Sequence, residues 1–127
     1  MPTKVLYIED APEQAIIVTE ILEFHFEDIE VRTATDGLEG IKIAREWDPD
    51  LILLDLMMPR ADGMEVLNRI RRHERIGDVP IVVLSAWAGP GSQASNIAEK
   101  AGADAAFAKP LEVEQLVNIV VRYARRR

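Results

Sequence analysis

The chain is organised by five apolar runs of strand length, which alternate with segments of helix length. This alternation is the signature of a parallel sheet whose two faces are covered by helices. The central runs are almost continuously apolar, as strands that are buried on both faces must be. We therefore predict an α/β fold with a doubly wound, five-stranded parallel sheet. Its strands are expected at residues 4–8, 29–34, 51–54, 80–84 and 105–108.

Length and composition fit a single soluble domain. The 127 residues are 48% hydrophobic and 29% charged, which is ordinary for a globular protein with its own core. No apolar run approaches the ~20 residues needed to cross a bilayer, and the amino terminus lacks a signal-peptide pattern. We therefore expect a cytoplasmic protein without membrane contact. The net charge of −7 argues against direct nucleic-acid binding, which requires a basic surface.

Because the chain has no cysteine, its chemistry must come from oxygen and nitrogen groups. Such groups stand at the carboxyl ends of four predicted strands: Glu9 and Asp10, Asp55, Ser85 and Lys109. In an open parallel sheet, ligands bind in the crevice beyond these strand ends. Each residue alone has a simpler structural explanation, such as capping the next helix. Capping does not predict complementary groups at four strand ends, so we favour a functional site.

Three carboxylates at one sheet edge repel one another. A pair about 4 Å apart costs roughly 4 kcal/mol at an effective dielectric constant near 20. Mg²⁺ offsets such repulsion, since it prefers one or two carboxylates together with water and phosphate oxygens. The sequence therefore predicts a Mg²⁺ site formed by Glu9, Asp10 and Asp55. With its charge neutralised, Asp55 can attack a phosphoryl donor, while Lys109 and Ser85 contact the phosphate.

Four segments, at residues 5–12, 55–63, 85–86 and 102–110, resemble the response regulator receiver domain, also known as the CheY-like fold. They occur in the family's order and at its spacings, and the resemblance covers essentially the whole chain. It implies a flavodoxin-like (βα)5 topology with strand order 2-1-3-4-5. It also implies one receiver domain over residues 1–127, with no output domain in this chain.

The resemblance implies that Asp55 accepts a phosphoryl group from a phosphohistidine on a sensor histidine kinase or a phosphotransfer protein. The chain would then be a signalling domain of a two-component phosphorelay and not an enzyme, apart from assisting its own phosphorylation and slow dephosphorylation. Mg²⁺ would be held by Asp10, Asp55 and the backbone carbonyl of Met57. Glu9, which is one methylene longer than the family's usual Asp, would contact the ion through water.

The remaining site residues follow from the same resemblance. Ser85 would donate a hydrogen bond to the phosphoryl oxygens, and Lys109 would pair with them. The family's Lys-Pro bond is commonly cis, so we expect a cis peptide between Lys109 and Pro110. The face formed by the fourth helix, fifth strand and fifth helix would bind a downstream protein or a separate output domain. A homodimer through this face is an open alternative.

The sequence departs from the family pattern at the switch. Ala106 stands three residues before Lys109, where family members usually carry a Tyr or Phe that turns inward. Phe107 should point to the opposite face of its strand, because side chains alternate with a period of two, and we predict that it belongs to the core. Two interpretations of Trp87 stay open. In the functional interpretation it takes over part of the switching or shields the acyl phosphate from water. In the structural interpretation it is partly buried against the fourth helix.

Three other functions compete with this interpretation. A receiver-like binding module that is never phosphorylated is consistent with the alanine at position 106, but the intact Asp55 and Lys109 argue against it. A magnesium-dependent phosphatase of small molecules typically has a second acid two residues after its nucleophile, where this chain has Met57. A flavodoxin-type FMN protein lacks support, because no Ser/Thr/Gly-rich phosphate loop follows the first strand.

Overall fold

The computed structural model describes residues 2–58, 61–86 and 93–126. One sheet runs through the domain, and its five strands are β1 (Thr3–Ile8), β2 (Ile29–Ala34), β3 (Leu51–Asp55), β4 (Ile81–Ser85) and β5 (Ala105–Ala108). They all pair in parallel, in the order β2-β1-β3-β4-β5. Both the predicted fold class and the predicted strand order 2-1-3-4-5 are confirmed.

Helices cover both faces of the sheet, and the alternation of side chains along each strand divides the core into two layers. Leu6 and Ile8 of β1 point to one layer, while Val5 and Tyr7 point to the other. The helices are α1 (Pro12–His25), α2 (Gly37–Trp47), α3 (Gly63–Arg71), α4 (Gln93–Lys100) and α5 (Val113–Tyr123). The first layer packs beneath α2, α3 and α4, and the second beneath α1 and α5.

Local sequence signals set where these helices begin. Pro12 occupies the first turn of α1, where its missing N–H costs no hydrogen bond. The side chain of Asp36 caps α2 by accepting a hydrogen bond of 2.8 Å from the backbone N–H of Glu39. At α5, the side chain of Gln115 accepts from the backbone N–H of Glu112 in a capping box. In the parts of the chain that are described, no helix combines the length and apolarity that crossing a bilayer requires.

Arg71 anchors the edge of the sheet at which β4 and β5 begin. Its guanidinium donates hydrogen bonds to the carbonyl oxygens of Gly102 at 2.7 Å, Gly77 at 3.0 Å and Val79 at 2.6 Å. It also forms an ion pair with Asp104 at 3.0 Å, and its side chain is 19% exposed. The end of α3 is therefore tied to the loops that precede β4 and β5.

Candidate functional site

The carboxyl ends of β1, β3 and β5 deliver three charged side chains to one side of the sheet edge. Glu9 follows β1 directly, Asp55 ends β3, and Lys109 follows β5. Because side chains alternate between the two faces of a strand, each of these residues lies on the same face as the residue two positions before it. Those earlier residues all lie in the layer beneath α1 and α5: Tyr7, Leu53 and Phe107. Strand register therefore brings two acids and one amine together from distant parts of the sequence.

Asp10 completes the acidic cluster predicted from the sequence. Glu9, Asp10 and Asp55 each offer a carboxylate oxygen, and these oxygens all lie within 4.8 Å of one another. Glu9 is 2% exposed and Asp55 is 5% exposed, whereas Asp10 is partly exposed. Water therefore screens the repulsion only weakly. At 4.8 Å and an effective dielectric constant of about 20, each pair of charges costs about 3.5 kcal/mol.

Lys109 supplies a positive charge to this cluster. Its Nζ donates a hydrogen bond of 2.5 Å to Oε1 of Glu9 and lies 3.4 Å from Oδ2 of Asp55. The backbone N–H of Lys109 donates to the carbonyl of Ser85 at 3.0 Å, which holds this residue beside the end of β4. The peptide bond between Lys109 and Pro110 is cis, as predicted.

Glu9 lies in an environment that favours its neutral form. Burial raises the pKa of Glu9 above its ordinary value, and a hydrogen bond with Asp55 raises it further, while Lys109 acts in the opposite direction. The Tyr7 hydroxyl donates to Oε1 of Glu9 at 3.2 Å, and burial followed by the charge of Glu9 raises the pKa of Tyr7. Sequence reasoning missed Tyr7, although its spacing of two residues from Glu9 places both on one side of the strand.

Ser85 lies at the carboxyl end of β4, next to the acidic cluster. It is 1% exposed, and it follows Leu84, which pairs with Asp55 in the sheet register. The backbone N–H of Leu56 donates to the carbonyl of Leu84 at 3.1 Å, which keeps β3 and β4 in contact beyond Asp55. The structure therefore places Ser85 at the same edge as the acids and Lys109.

The two β5 residues singled out at the switch point to opposite faces, as predicted. Ala106 packs against the core layer beneath α2, α3 and α4. Phe107 packs against the other layer, where its ring meets that of Tyr123 edge-on at a centroid distance of 6.4 Å. Phe107 is therefore a packing residue between β5 and α5. Trp87 lies outside the described residues.

A short antiparallel ladder follows Asp55, and the sequence did not predict it. Residues Met57–Met58 pair with Ala61–Asp62, and α3 begins directly afterwards at Gly63. A Cβ at Gly63 would lie 2.6 Å from Cα of Leu56 and 2.8 Å from the carbonyl oxygen of Asp55. Only glycine allows this approach, so the start of α3 packs directly on the backbone of the proposed phosphoacceptor.

The acidic cluster fits a Mg²⁺ site. Glu9, Asp10 and Asp55 provide three carboxylates, which are hard oxygen donors of the kind this ion prefers. Lys109 offsets one of the three negative charges, which leaves an excess for a divalent cation to balance. Met57, whose carbonyl is the fourth predicted ligand, lies two residues beyond Asp55 in the short ladder.

Comparison with known proteins agrees with this geometry. The model of the response regulator receiver domain family matches residues 5–121. The chain is 37% identical over 123 residues to the DNA-binding dual master transcriptional regulator RpaA of Synechocystis sp., which covers 97% of this chain and 49% of RpaA. It is 28% identical over 124 residues to the polar-differentiation response regulator DivK of Brucella anthropi, covering 97% of each protein.

Structural similarity is equally extensive. The chemotaxis protein CheY4 of Vibrio cholerae superposes with a TM-score of 0.87 at 27% identity, covering 97% of this chain and 99% of that one. The chain therefore corresponds to about half of RpaA and to nearly all of DivK and CheY4. The family match, these relatives and the acidic cluster at the strand ends together establish that the chain belongs to the response regulator receiver domain family.

Proposed function

We propose that this receiver domain accepts a phosphoryl group on Asp55 from the phosphohistidine of a sensor histidine kinase or a phosphotransfer protein. An Asp55 carboxylate oxygen attacks phosphorus, the P–N bond breaks, and the imidazole nitrogen leaves with the electron pair. The product is an acyl phosphate on Asp55. The observation that carries the proposal is the convergence of Glu9, Asp10 and Asp55 within 4.8 Å beside Lys109.

Asp10, Asp55 and the backbone carbonyl of Met57 would hold Mg²⁺, with Glu9 binding through water. When bound, the ion supplies the positive charge that lets a carboxylate approach an anionic phosphoryl group. The donor set supports this assignment, because all three carboxylates share one small region and two are buried. Glu9 is the least exposed of the three carboxylates, at 2%.

Lys109 and Ser85 would hold the transferred group. Nζ of Lys109 lies 3.4 Å from Asp55, so a short movement away from Glu9 brings the ammonium to the new phosphoryl oxygens. Ser85 would donate its hydroxyl to another of these oxygens from the end of β4. Charge-assisted hydrogen bonds of this kind contribute about 1.5–3 kcal/mol each, so both residues gain by turning towards the phosphoryl group.

The acyl phosphate would act as a switch. It adds roughly −1.5 to −2 charges at one point, and moving a two-state element from 1:99 to 99:1 requires about 5.5 kcal/mol. Contacts from Lys109 and Ser85, together with the metal, provide energy of that order. The face formed by α4, β5 and α5 is the proposed readout, with a downstream protein, an output domain or a second copy as partner.

In this proposal residues 1–127 form one cytoplasmic signalling domain. It turns over no external substrate and assists only its own phosphorylation and slow dephosphorylation. Ala106 stands where the family usually has its aromatic switch, so the signal would pass through α4 and β5 without that residue. The packing of Ala106 against the layer beneath α4 is consistent with this route.

The test is intact mass spectrometry after incubation with acetyl phosphate, with and without Mg²⁺. We expect the wild type to gain one phosphoryl group only with Mg²⁺, and Asp55→Asn to gain none. Asp78→Asn, which changes an exposed acid in the loop before β4, is the matched control and should behave as the wild type. A wild type that gains no phosphoryl group under these conditions would fit the unphosphorylated binding module instead.

A further inference from the structure

Tyr7 is a polar side chain in the interior of the sheet. It is the penultimate residue of β1 and is 1% exposed, in the same core layer as Leu53 and Leu84. A buried phenol requires a hydrogen-bond partner, because an unsatisfied hydroxyl costs free energy in an apolar environment. Its partner is Glu9, whose Oε1 lies 3.2 Å from the hydroxyl. The tyrosine therefore connects the core to the acidic cluster.

The same oxygen of Glu9 receives a second donor. Lys109 reaches Oε1 from the end of β5, while Tyr7 reaches it from β1. Two donors from different strands fix the direction of one carboxylate more firmly than either would alone. This restraint matters for a glutamate, because its additional methylene adds a rotatable bond, and ordering such a bond costs conformational entropy.

We propose that Tyr7 is a positioning residue that holds the Glu9 carboxylate ready for Mg²⁺. Glu9 is one methylene longer than the aspartate usual in the family, and the hydrogen bond from Tyr7 compensates for the additional rotatable bond. The inference rests on the proposed function, because it assigns Tyr7 a role in the metal site. Residues that orient metal ligands from behind typically change metal affinity by about 10- to 100-fold when they are replaced.

The test is a double-mutant cycle with Mg²⁺ affinity measured by isothermal titration calorimetry. Tyr7→Phe removes only the hydroxyl, and we expect it to weaken Mg²⁺ binding about tenfold. In a Glu9→Asp background we expect the shorter side chain to lie too far from the Tyr7 hydroxyl for a hydrogen bond, so the same substitution should change the affinity little. Equal losses in both backgrounds, or no loss in either, would overturn the proposal. Tyr123→Phe removes the other tyrosine hydroxyl and should leave Mg²⁺ affinity unchanged.

A second measurement keeps the proposal testable if Tyr7→Phe folds poorly. The chain contains two tyrosines, so the wild type labelled with ¹³C at the tyrosine Cζ gives two NMR signals, which Tyr123→Phe assigns. Adding Mg²⁺ should shift the Tyr7 signal with the midpoint seen by calorimetry and leave the Tyr123 signal in place. A Tyr7 signal that stays unmoved at saturating Mg²⁺ would overturn the proposal.

The measurements distinguish a failure of the proposed function from a failure of the role proposed for Tyr7. If the wild type binds no Mg²⁺, the proposed metal-dependent function fails, and the role of Tyr7 fails with it. If the wild type binds Mg²⁺ and takes up the phosphoryl group, but Tyr7→Phe binds the ion equally well, only the positioning role fails.

Discussion

Removing the charge of Asp55 should stabilise the protein in the absence of Mg²⁺. The Asp55 carboxylate is repelled by Glu9 and Asp10, at a cost of about 3.5 kcal/mol or more for each pair at 4.8 Å or less. It is attracted by Lys109, whose Nζ at 3.4 Å contributes about 5 kcal/mol at the same effective dielectric constant of about 20. The two repulsions together exceed the attraction by Lys109 by about 2 kcal/mol, and solvent relaxation reduces this net repulsion.

We therefore expect Asp55→Asn to raise the free energy of unfolding by about 1–2 kcal/mol in urea titrations with EDTA at mildly alkaline pH. Mg²⁺ should stabilise the wild type by about 2.7 kcal/mol at one hundred times its Kd, and the variant by less. The exposed control Asp78→Asn should stay within about 0.5 kcal/mol of the wild type in both buffers. An Asp55→Asn protein that is less stable than the wild type without metal, or equal stabilisation of both by Mg²⁺, would show that the charge of Asp55 is not repelled in this site.

Three further predictions concern stability and the geometry of the site. Arg71→Met should lower the free energy of unfolding by about 2–4 kcal/mol in urea, because it removes the hydrogen bonds to three backbone carbonyls and the ion pair with Asp104. In Mg²⁺-free buffer the folded pKa of Glu9 lies above its ordinary value of 4.5, so the folded state keeps a proton that the unfolded state has lost. The free energy of unfolding should therefore fall as the pH rises from about 4.5 through the folded pKa, by at most ~1.4 kcal/mol per pH unit. Gly63→Ala should cost about 1–3 kcal/mol and slow phosphorylation by acetyl phosphate, since its Cβ collides with the Asp55–Leu56 backbone.

Each of these predictions has a control. Arg69→Met breaks an exposed pair with Glu65 at 3.1 Å and should cost less than about 1 kcal/mol, so an equal loss at both arginines would contradict the anchoring role of Arg71. Glu9→Gln should reduce the dependence of the free energy of unfolding on pH. An unchanged dependence would show that other groups cause it. Gly37→Ala substitutes a glycine at the start of a different helix, and phosphorylation that slows equally there would contradict the local effect at Gly63.

The fold was predictable because its signals are local and repeated. Apolar runs predicted the five strands to within one residue at each end, and two of the helices begin at local start signals, Pro12 and Asp36. In a parallel sheet the carboxyl ends of all strands lie at one edge, so the proximity of Glu9, Asp55 and Lys109 could be predicted without any sequence signal for a long-range contact. The order of the strands came from the family resemblance, since alternation alone does not determine it.

The details of bonding within the site were less predictable. Tyr7 resembles any aromatic in an apolar strand, and only the structure shows its hydroxyl on Glu9. The sequence did not predict the ion pairs of Lys109, whose Nζ binds Glu9 and lies near Asp55, because two buried acids attract the ammonium. Arg71 gave no sequence signal, since its partners are mainly backbone carbonyls, which every residue carries.

Locating the phosphoryl group chemically would show whether Asp55 is the phosphoacceptor. The protein is phosphorylated with acetyl phosphate and Mg²⁺, the acyl phosphate is reduced with borohydride, and peptide mapping finds the resulting homoserine. We predict homoserine at position 55 alone, and none when EDTA replaces Mg²⁺. Homoserine in place of Asp10, or equal modification of Asp55 without the metal, would contradict the claim that the acidic cluster uses Mg²⁺ to make Asp55 the phosphoacceptor.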